Sequence, residues 1–419
     1  MKASKVLFFV LVLLLPVNLG KHFELFDSYV WGVLSDYLIP TLYAQDILVV
    51  STLIFWLKER GFPSRQTLAT FVSAKEAQFL ILFIFSLMLS VASAARPLPA
   101  FFVFLRIFLY FLLFIYISYE IKVEKDFLVI LTLLAISVIF IGALGILQFL
   151  KQGAVFNNYL FLGEQPYSYS TWGIVRKSVL GVGKIPAYSL FRHPNIFGGF
   201  LSVVLVWVLA SFKKSKIFLL AFIFGTISLL LTFSYTAWAA FTFGVFGYIY
   251  ISSGLRGDYL FRKKVVSFVF LAIILVAFLF PPAFSKSDQP SLYRRGNLYL
   301  SSLAVARQNP LFGVGPGNLV VFIDKFIPAS SRDLRFTQPV HNIFLLIFAE
   351  NGISALLLFF GLLVFAIKNL LNPSCFPLFL IALLQIIFLG SLDHYFWTIH
   401  QTSLLFWILL GLTFQKQVA

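Results

Sequence analysis

The chain has 419 residues, 60% of them hydrophobic and only 11% charged, with a formal net charge of +16. A soluble domain is about 45–50% apolar and about 25% charged, so soluble globular, disordered and collagen-like classes are excluded. Cys375 is the single cysteine, which excludes an internal disulfide and leaves no cysteine pair for a metal.

Apolar runs of about 18 residues recur where barrel strands would alternate, so the class is a polytopic helical membrane protein. Runs bounded by charges, Pro or Gly mark twelve candidate spans, near 6–20, 42–57, 77–94, 99–119, 127–149, 194–211, 217–234, 236–252, 265–281, 341–367, 375–393 and 397–413. Lys2 and Lys5 precede the first run as they would in a signal peptide. Pro16-Val17-Asn18-Leu19-Gly20 offers no small-x-small cleavage site, so the run is read as a span.

Basic residues set the orientation. With the N-terminus inside, Lys58, Arg60, Arg65, Lys75, Lys213, Lys214, Lys216, Arg256, Arg262, Lys263 and Lys264 all fall in cytoplasmic connections. Both termini are then cytoplasmic, and much of the +16 is topology signal; no nucleic-acid partner is implied. The expected fold is all-α, with about twelve transmembrane helices and a large outer helical loop. Residues 1–190 hold the first helices and first outer loop, and 191–419 a second unit that includes loop 282–340.

Two outer segments, 151–193 and 282–340, are too long to be simple connections. The first carries Lys151, Arg176, Lys177, Lys184 and Arg192 against Glu164; the second is similarly basic. Such charge reads either as solvation or as a site for an anionic ligand at the outer surface. Arg192-His193-Pro194-Asn195 opens the sixth span, and the free amides of a helix start favour an anion. Residues 291–307 read as an amphipathic surface helix ending at Asn309-Pro310, with the apolar stripe Leu292, Tyr299, Leu303 and Ala306. Arg295 falls on that stripe and Arg294 points away. An inward arginine needs an anionic partner, either phosphate, which guanidinium grips with two bonds, or a carboxylate. Leu311-Phe312-Gly313-Val314-Gly315-Pro316-Gly317-Asn318 lacks the Lys-Ser/Thr ending of a phosphate loop and reads as a tight turn.

His341-Asn342 opens the tenth span. Steps of +4, +7, +11 and +14 from His341 reach Leu345, Phe348, Gly352 and Ala355, within about 40° of one helical stripe. The stripe faces protein, since small residues at 352 and 355 admit another helix. At the water boundary, with Arg332 and Arg335 close in sequence, His341 reads as a general base or as an interfacial hydrogen-bonder. Glu350 would lie roughly 13 Å deeper, paired with a group such as Arg106 or beside a polar cavity. Asp393 or His394, in an aromatic interface belt, could reach the His341 region. Five scattered histidines suggest no metal-ligand cluster.

The order of these motifs resembles the O-antigen ligase/polymerase family of bacterial membrane glycosyltransferases. His193-Pro194-Asn195 opens a span as in that family, and Arg295 stands fourteen residues before Asn309-Pro310-Leu311-Phe312-Gly313-Val314-Gly315. His341-Asn342, nine residues, Gly352 and two more match the ligase signature, although Ala355 holds the final place. The likeness covers about 190–413. One departure is Thr232-Phe233-Ser234-Tyr235, where the family often has Ser-Arg; Arg176, Lys177, Lys184 or Arg192 are the candidate substitutes.

The resemblance implies transfer of a glycan from a polyprenyl-pyrophosphate carrier to a lipid, glycan or protein hydroxyl on the outer face of the cytoplasmic membrane. It implies His341 and Arg295 as catalytic residues, with Arg192, Asn195, Asn342, Arg176 and Lys184 in substrate binding, and neither cofactor nor metal. A transporter or flippase of lipid-linked sugars is the competing class. Transporters place ionisable groups near mid-membrane, whereas here only Arg106 and Glu350 lie deep.

Overall fold

The computed structural model describes residues 1–61, 75–179, 181–254, 289–326, 337–370 and 377–414. Helices α1 (Ala3–Leu13), α2 (Ala44–Arg60), α3 (Lys75–Val91), α4 (Pro97–Glu120) and α5 (Val123–Lys151) precede the first long loop. Helices α6 (Pro194–Ser211), α7 (Lys216–Leu231), α8 (Tyr235–Gly254) and α9 (Gln289–Gln308) follow. The short α10 (Leu319–Phe322), then α11 (Ile343–Leu370), α12 (Pro377–Leu392), the short α13 (Tyr395–Thr398) and α14 (His400–Thr413) complete the order. Every predicted apolar run except 265–281 coincides with a helix. That run lies outside the described residues, as do Arg65, Arg256, Arg262, Lys263, Lys264, Arg332, Arg335 and Cys375.

Among the described residues, α4, α5, α6 and α11 are long and apolar enough to cross a membrane, and α1, α3, α7 and α12 are shorter apolar helices. The first apolar run ends as a helix sooner than its hydropathy suggests. Pro16 cannot continue the backbone ladder, and past the helix end Gln45 Nε2 on α2 donates to the carbonyls of Leu14 and Val17 at 2.9 and 2.5 Å. A single apolar core joins α1 through α14, with Trp207, Trp407, Phe8, Phe83, Phe197 and Phe200 among its fully buried rings. Close helix approach uses small residues: a Cβ on Gly142 of α5 would stand 2.9 Å from the backbone of Phe224 on α7.

The expectation of a purely helical chain needs one correction. Three two-stranded antiparallel ladders decorate the connections: β1 (Gly20–His22) with β4 (Thr41–Tyr43), β2 (Tyr29–Val30) with β3 (Val33–Leu34), and β5 (Lys177–Val179) with β6 (Val182–Lys184). The β2–β3 turn places Trp31 and Gly32 at φ 54° and 75°, the paired left-handed residues of a two-residue hairpin. The loop after α5 is gathered round Glu164. This fully buried carboxylate accepts from the amides of Val155, Phe156 and Asn157 at 2.7–2.9 Å and from Gln148 Nε2 at 2.7 Å.

Helix α11 is not continuous. Gly352 has φ 82° and ψ 177°, so the helix breaks there, and the glycine-rich segment after α9 fills the gap. Amides of Val314 and Gly315 donate to the carbonyls of Ala349 and Glu350 at 3.0 and 2.8 Å, and Ile353 donates to the Pro310 carbonyl at 2.8 Å. The backbone groups freed by the break are thus satisfied by the loop. A Cβ on Gly352 would stand 2.0 Å from the Leu311 carbonyl oxygen. Gly352→Ala is therefore expected to destabilise the protein by about 3 kcal/mol or more, through left-handed strain and overlap together. Gly296→Ala, with open space on exposed α9, should leave thermal stability in detergent unchanged or slightly raised. Equal melting temperatures for the two variants would contradict this reading of the break.

Candidate active site

A cavity of about 930 Å³ opens where eight distant segments meet. They are residues 36–43, the first half of α4, residues 172–177, the start of α6, the α7–α8 turn, the start of α9, and the stretches bearing His341 and 393–400.

His341 lies just before α11. Its Nδ1 is 3.1 Å from Asp393 Oδ1, and Asp393 also accepts from the His394 amide at 2.8 Å. Burial pushes the Asp393 carboxyl up, but the charge and hydrogen bond of His341, then His394 and Arg295, hold it well below the usual carboxylate range. An ionised carboxylate can only accept, so the hydrogen between the two sits on His341 Nδ1, and Nε2 is the nitrogen that holds the lone pair in the neutral ring. This fixes both tautomer and ring angle, as a base-orienting carboxylate does. Asn342 holds the two strands of chain together. Its Oδ1 caps the Leu345 amide at 2.9 Å while its Nδ2 donates to the Ser391 carbonyl at 3.0 Å.

His193 caps α6, its Nδ1 accepting from the Asn195 amide at 3.1 Å. Burial lowers its pKa to about 4; Asp393 opposes that, and His341, Arg295 and Lys177 add to it. His394 is lowered to about 3, first by burial and against Asp393, and its Nδ1 meets Thr398 Oγ1 at 2.7 Å. Both rings are neutral near pH 7, so His341 faces two uncharged imidazoles and one carboxylate. Arg192 Nη2 donates to Tyr43 Oη at 3.2 Å, and its Nη1 is 3.7 Å from Asp36.

Arg192, Asn195, Arg176, Arg295 and His341 line the cavity, but Asn342 and Lys184 do not. Asn342 is a helix cap that positions its neighbour. Lys184 sits opposite Lys177 in the β5–β6 ladder, and it is Lys177 that enters the cavity, its Nζ 5.7 Å from the Tyr235 ring centroid.

The stripe expected on α9 is also corrected. Leu292 and Tyr299 are 52% and 48% exposed, whereas Leu298, Ser302, Val305 and Ala306 are fully buried. The inward face is centred on Leu298, so Arg295 and Arg294, three and four residues earlier, both lie on it, and both line the cavity. Neighbouring solvent-facing Leu and Tyr had masked that register.

Arg106 and Glu350 are not partners. Arg106 Nε is 3.6 Å from Asp46, and its guanidinium donates to the Thr41 carbonyl and lies over Tyr43. Glu350 accepts from the Leu319 amide at 3.4 Å, at the start of α10. Nor are the histidines scattered: the ligand atoms of His341, Asp393 and His394 all lie within 4.8 Å of one another, a set that could hold a divalent ion. Sequence spacing could not bring together residues 52 positions apart.

The O-antigen ligase family model matches residues 220–360. That stretch runs from α7 through α9, the glycine loop and His341 to the break in α11. Over that stretch, about a third of the chain, the protein is similar to the O-antigen ligase family. No curated protein matches it.

Proposed function

We propose that the protein transfers a glycan from a polyprenyl-pyrophosphate carrier to an acceptor hydroxyl at the outer face of the cytoplasmic membrane. The observation that carries this reading is one cavity lined by an Asp393-oriented His341 and by Arg295. In the reaction, His341 Nε2 takes the acceptor proton and the acceptor oxygen bonds to the anomeric carbon. The bond from that carbon to the pyrophosphate breaks, its electron pair leaving with the polyprenyl pyrophosphate. Charge growing on the leaving group meets Arg295 and Arg192. Lipid, glycan and protein hydroxyls all satisfy this chemistry.

The outer placement is supported by alternation. The loop segments lining the cavity lie at α2, α4, α6, α8, α11 and α14 starts, all on one side if the N-terminus is inside, whereas Lys58, Arg60, Lys213, Lys214 and Lys216 lie at opposite ends. The competing transporter reading is disfavoured by the deep charges: Arg106 is tied to Asp46 and Thr41, and Glu350 to a backbone amide. Both border the cavity, but each is already held by these partners.

Lys177 is the proposed substitute for the arginine absent at Tyr235, since its ammonium stands over that ring inside the cavity. Lys177→Ala should raise the donor KM about tenfold, as loss of a charge-assisted contact does, and Lys177→Arg should restore most of it. Lys184→Ala should change little. The test is purified protein in lipid vesicles, supplied with a polyprenyl-pyrophosphate-linked glycan and candidate lipid, glycan and protein acceptors, with and without chelator. A glycosylated acceptor that forms equally with chelator is expected. No product with any acceptor would reject the function, and loss on chelation would assign an ion to His341, Asp393 and His394.

A further inference from the structure

Trp172 is 73% exposed and yet lines the cavity. Many large apolar side chains of this protein are exposed, but this indole is exposed within the lining of the cavity, where its open face meets whatever binds there. The backbone that carries it is fixed. Residues 171–174 form a turn closed by the Ile174 amide on the Thr171 carbonyl at 3.5 Å, with Gly173 at φ 79° supplying the left-handed third position. The turn is anchored before and after: the Ser168 amide donates to Thr171 Oγ1 at 2.9 Å, and the Val175 amide to Tyr188 Oη at 2.9 Å. Arg176 lies over Tyr169, 4.7 Å from its centroid, and donates to the Tyr169 carbonyl at 2.5 Å, which stiffens the same loop.

We propose that Trp172 is a stacking platform for a pyranose ring, a saccharide subsite beside the phosphate-facing cations of the cavity. The electron-rich face of an indole attracts the positively polarised C–H groups of a sugar face, and a side chain with only two rotatable bonds on a fixed turn loses little freedom on binding. Cavity size agrees. About 930 Å³ is at the upper end for a ligand pocket and exceeds what a pyrophosphate fills. Arg176 and Lys177, four and five residues on, line the same cavity, so sugar and phosphate contacts lie together, as a glycosyl pyrophosphate requires. An acceptor glycan offers the same C–H chemistry, and kinetics separate the two sources.

The inference rests on the glycan-transfer reading, so its test includes a readout independent of turnover. Methyl glycosides of glucose, galactose and N-acetylglucosamine are titrated against the full-length protein while tryptophan fluorescence is followed. The expected result is saturable quenching by at least one glycoside, lost in Trp172→Ala and kept in Trp172→Phe only as residual binding. In transfer assays, Trp172→Ala should raise one KM roughly tenfold, the value of a good aromatic contact. A rise in the donor KM assigns the donor sugar, and a rise in the acceptor KM assigns the acceptor. Trp31→Ala, an exposed indole outside the cavity, should change neither. Quenching without any turnover would uphold the subsite and reject the transferase. Normal turnover with unchanged KM values and quenching in Trp172→Ala would overturn the subsite, as would a loss confined to the amount of inserted protein, which marks a membrane-interface anchor.

Discussion

His341→Gln is expected to lower turnover per inserted molecule by about two to four orders of magnitude, the range supplied by a positioned general base. Glutamine keeps a polar group at the site but cannot take a proton from the acceptor hydroxyl. Folding should survive, because His341 lies just before α11, outside its hydrogen-bond ladder, and glutamine is of similar size and polarity. Asp393→Asn tests the same device from the other side. An amide can donate as well as accept, so the imidazole is no longer confined to the tautomer that leaves Nε2 bare, and turnover should fall by about a hundredfold or more. Thermal stability measured beside activity separates chemistry from folding. Near-normal turnover in His341→Gln would reduce the residue to an interfacial hydrogen-bonder.

Arg295→Ala should lower turnover by about a hundredfold or more, because it removes a donor aimed at charge that develops on the leaving pyrophosphate. Arg295→Lys retains the charge and loses the two-pronged geometry, so a clear loss should persist. Arg294 shares the buried face of α9 and the cavity wall, and Arg294→Ala should therefore weaken activity, though less than Arg295→Ala. Arg295 is the one whose charge is felt at Asp393, His394 and His193. Equal effects at 294 and 295, matched by equal loss of inserted protein, would show that the pair contributes bulk charge alone.

Much of the helical frame was legible in sequence because lipid-facing helices announce themselves by unbroken apolar length. The limits of that signal are physical. Hydropathy runs through Gly352 without a mark, so the break in α11 is invisible until the glycine loop is seen supplying its missing hydrogen bonds. The spacing from His341 to Gly352 and the Gly313 segment are two halves of one interlock, which explains why both belong to one motif. Arg295 and His341 were accessible from the motif order. Asp393 as orienter and Lys177 over Tyr235 depend on contacts between residues 52 and 58 positions apart, which periodicity within one helix cannot report. The α9 register failed for a local reason: Leu292 and Tyr299 are apolar yet exposed, and Ser301 and Ser302 are polar yet buried.

In the proposed reaction a glycosyl bond is broken and remade in this cavity. It is tested most directly in sealed proteoliposomes holding labelled polyprenyl-pyrophosphate glycan and an acceptor, with free polyprenyl pyrophosphate and glycosylated acceptor counted together. One carrier lipid should be freed for each glycan transferred, with both products lost together in His341→Gln. Lipid-linked glycan crossing the bilayer intact, with no carrier freed in the unmodified protein, would contradict it.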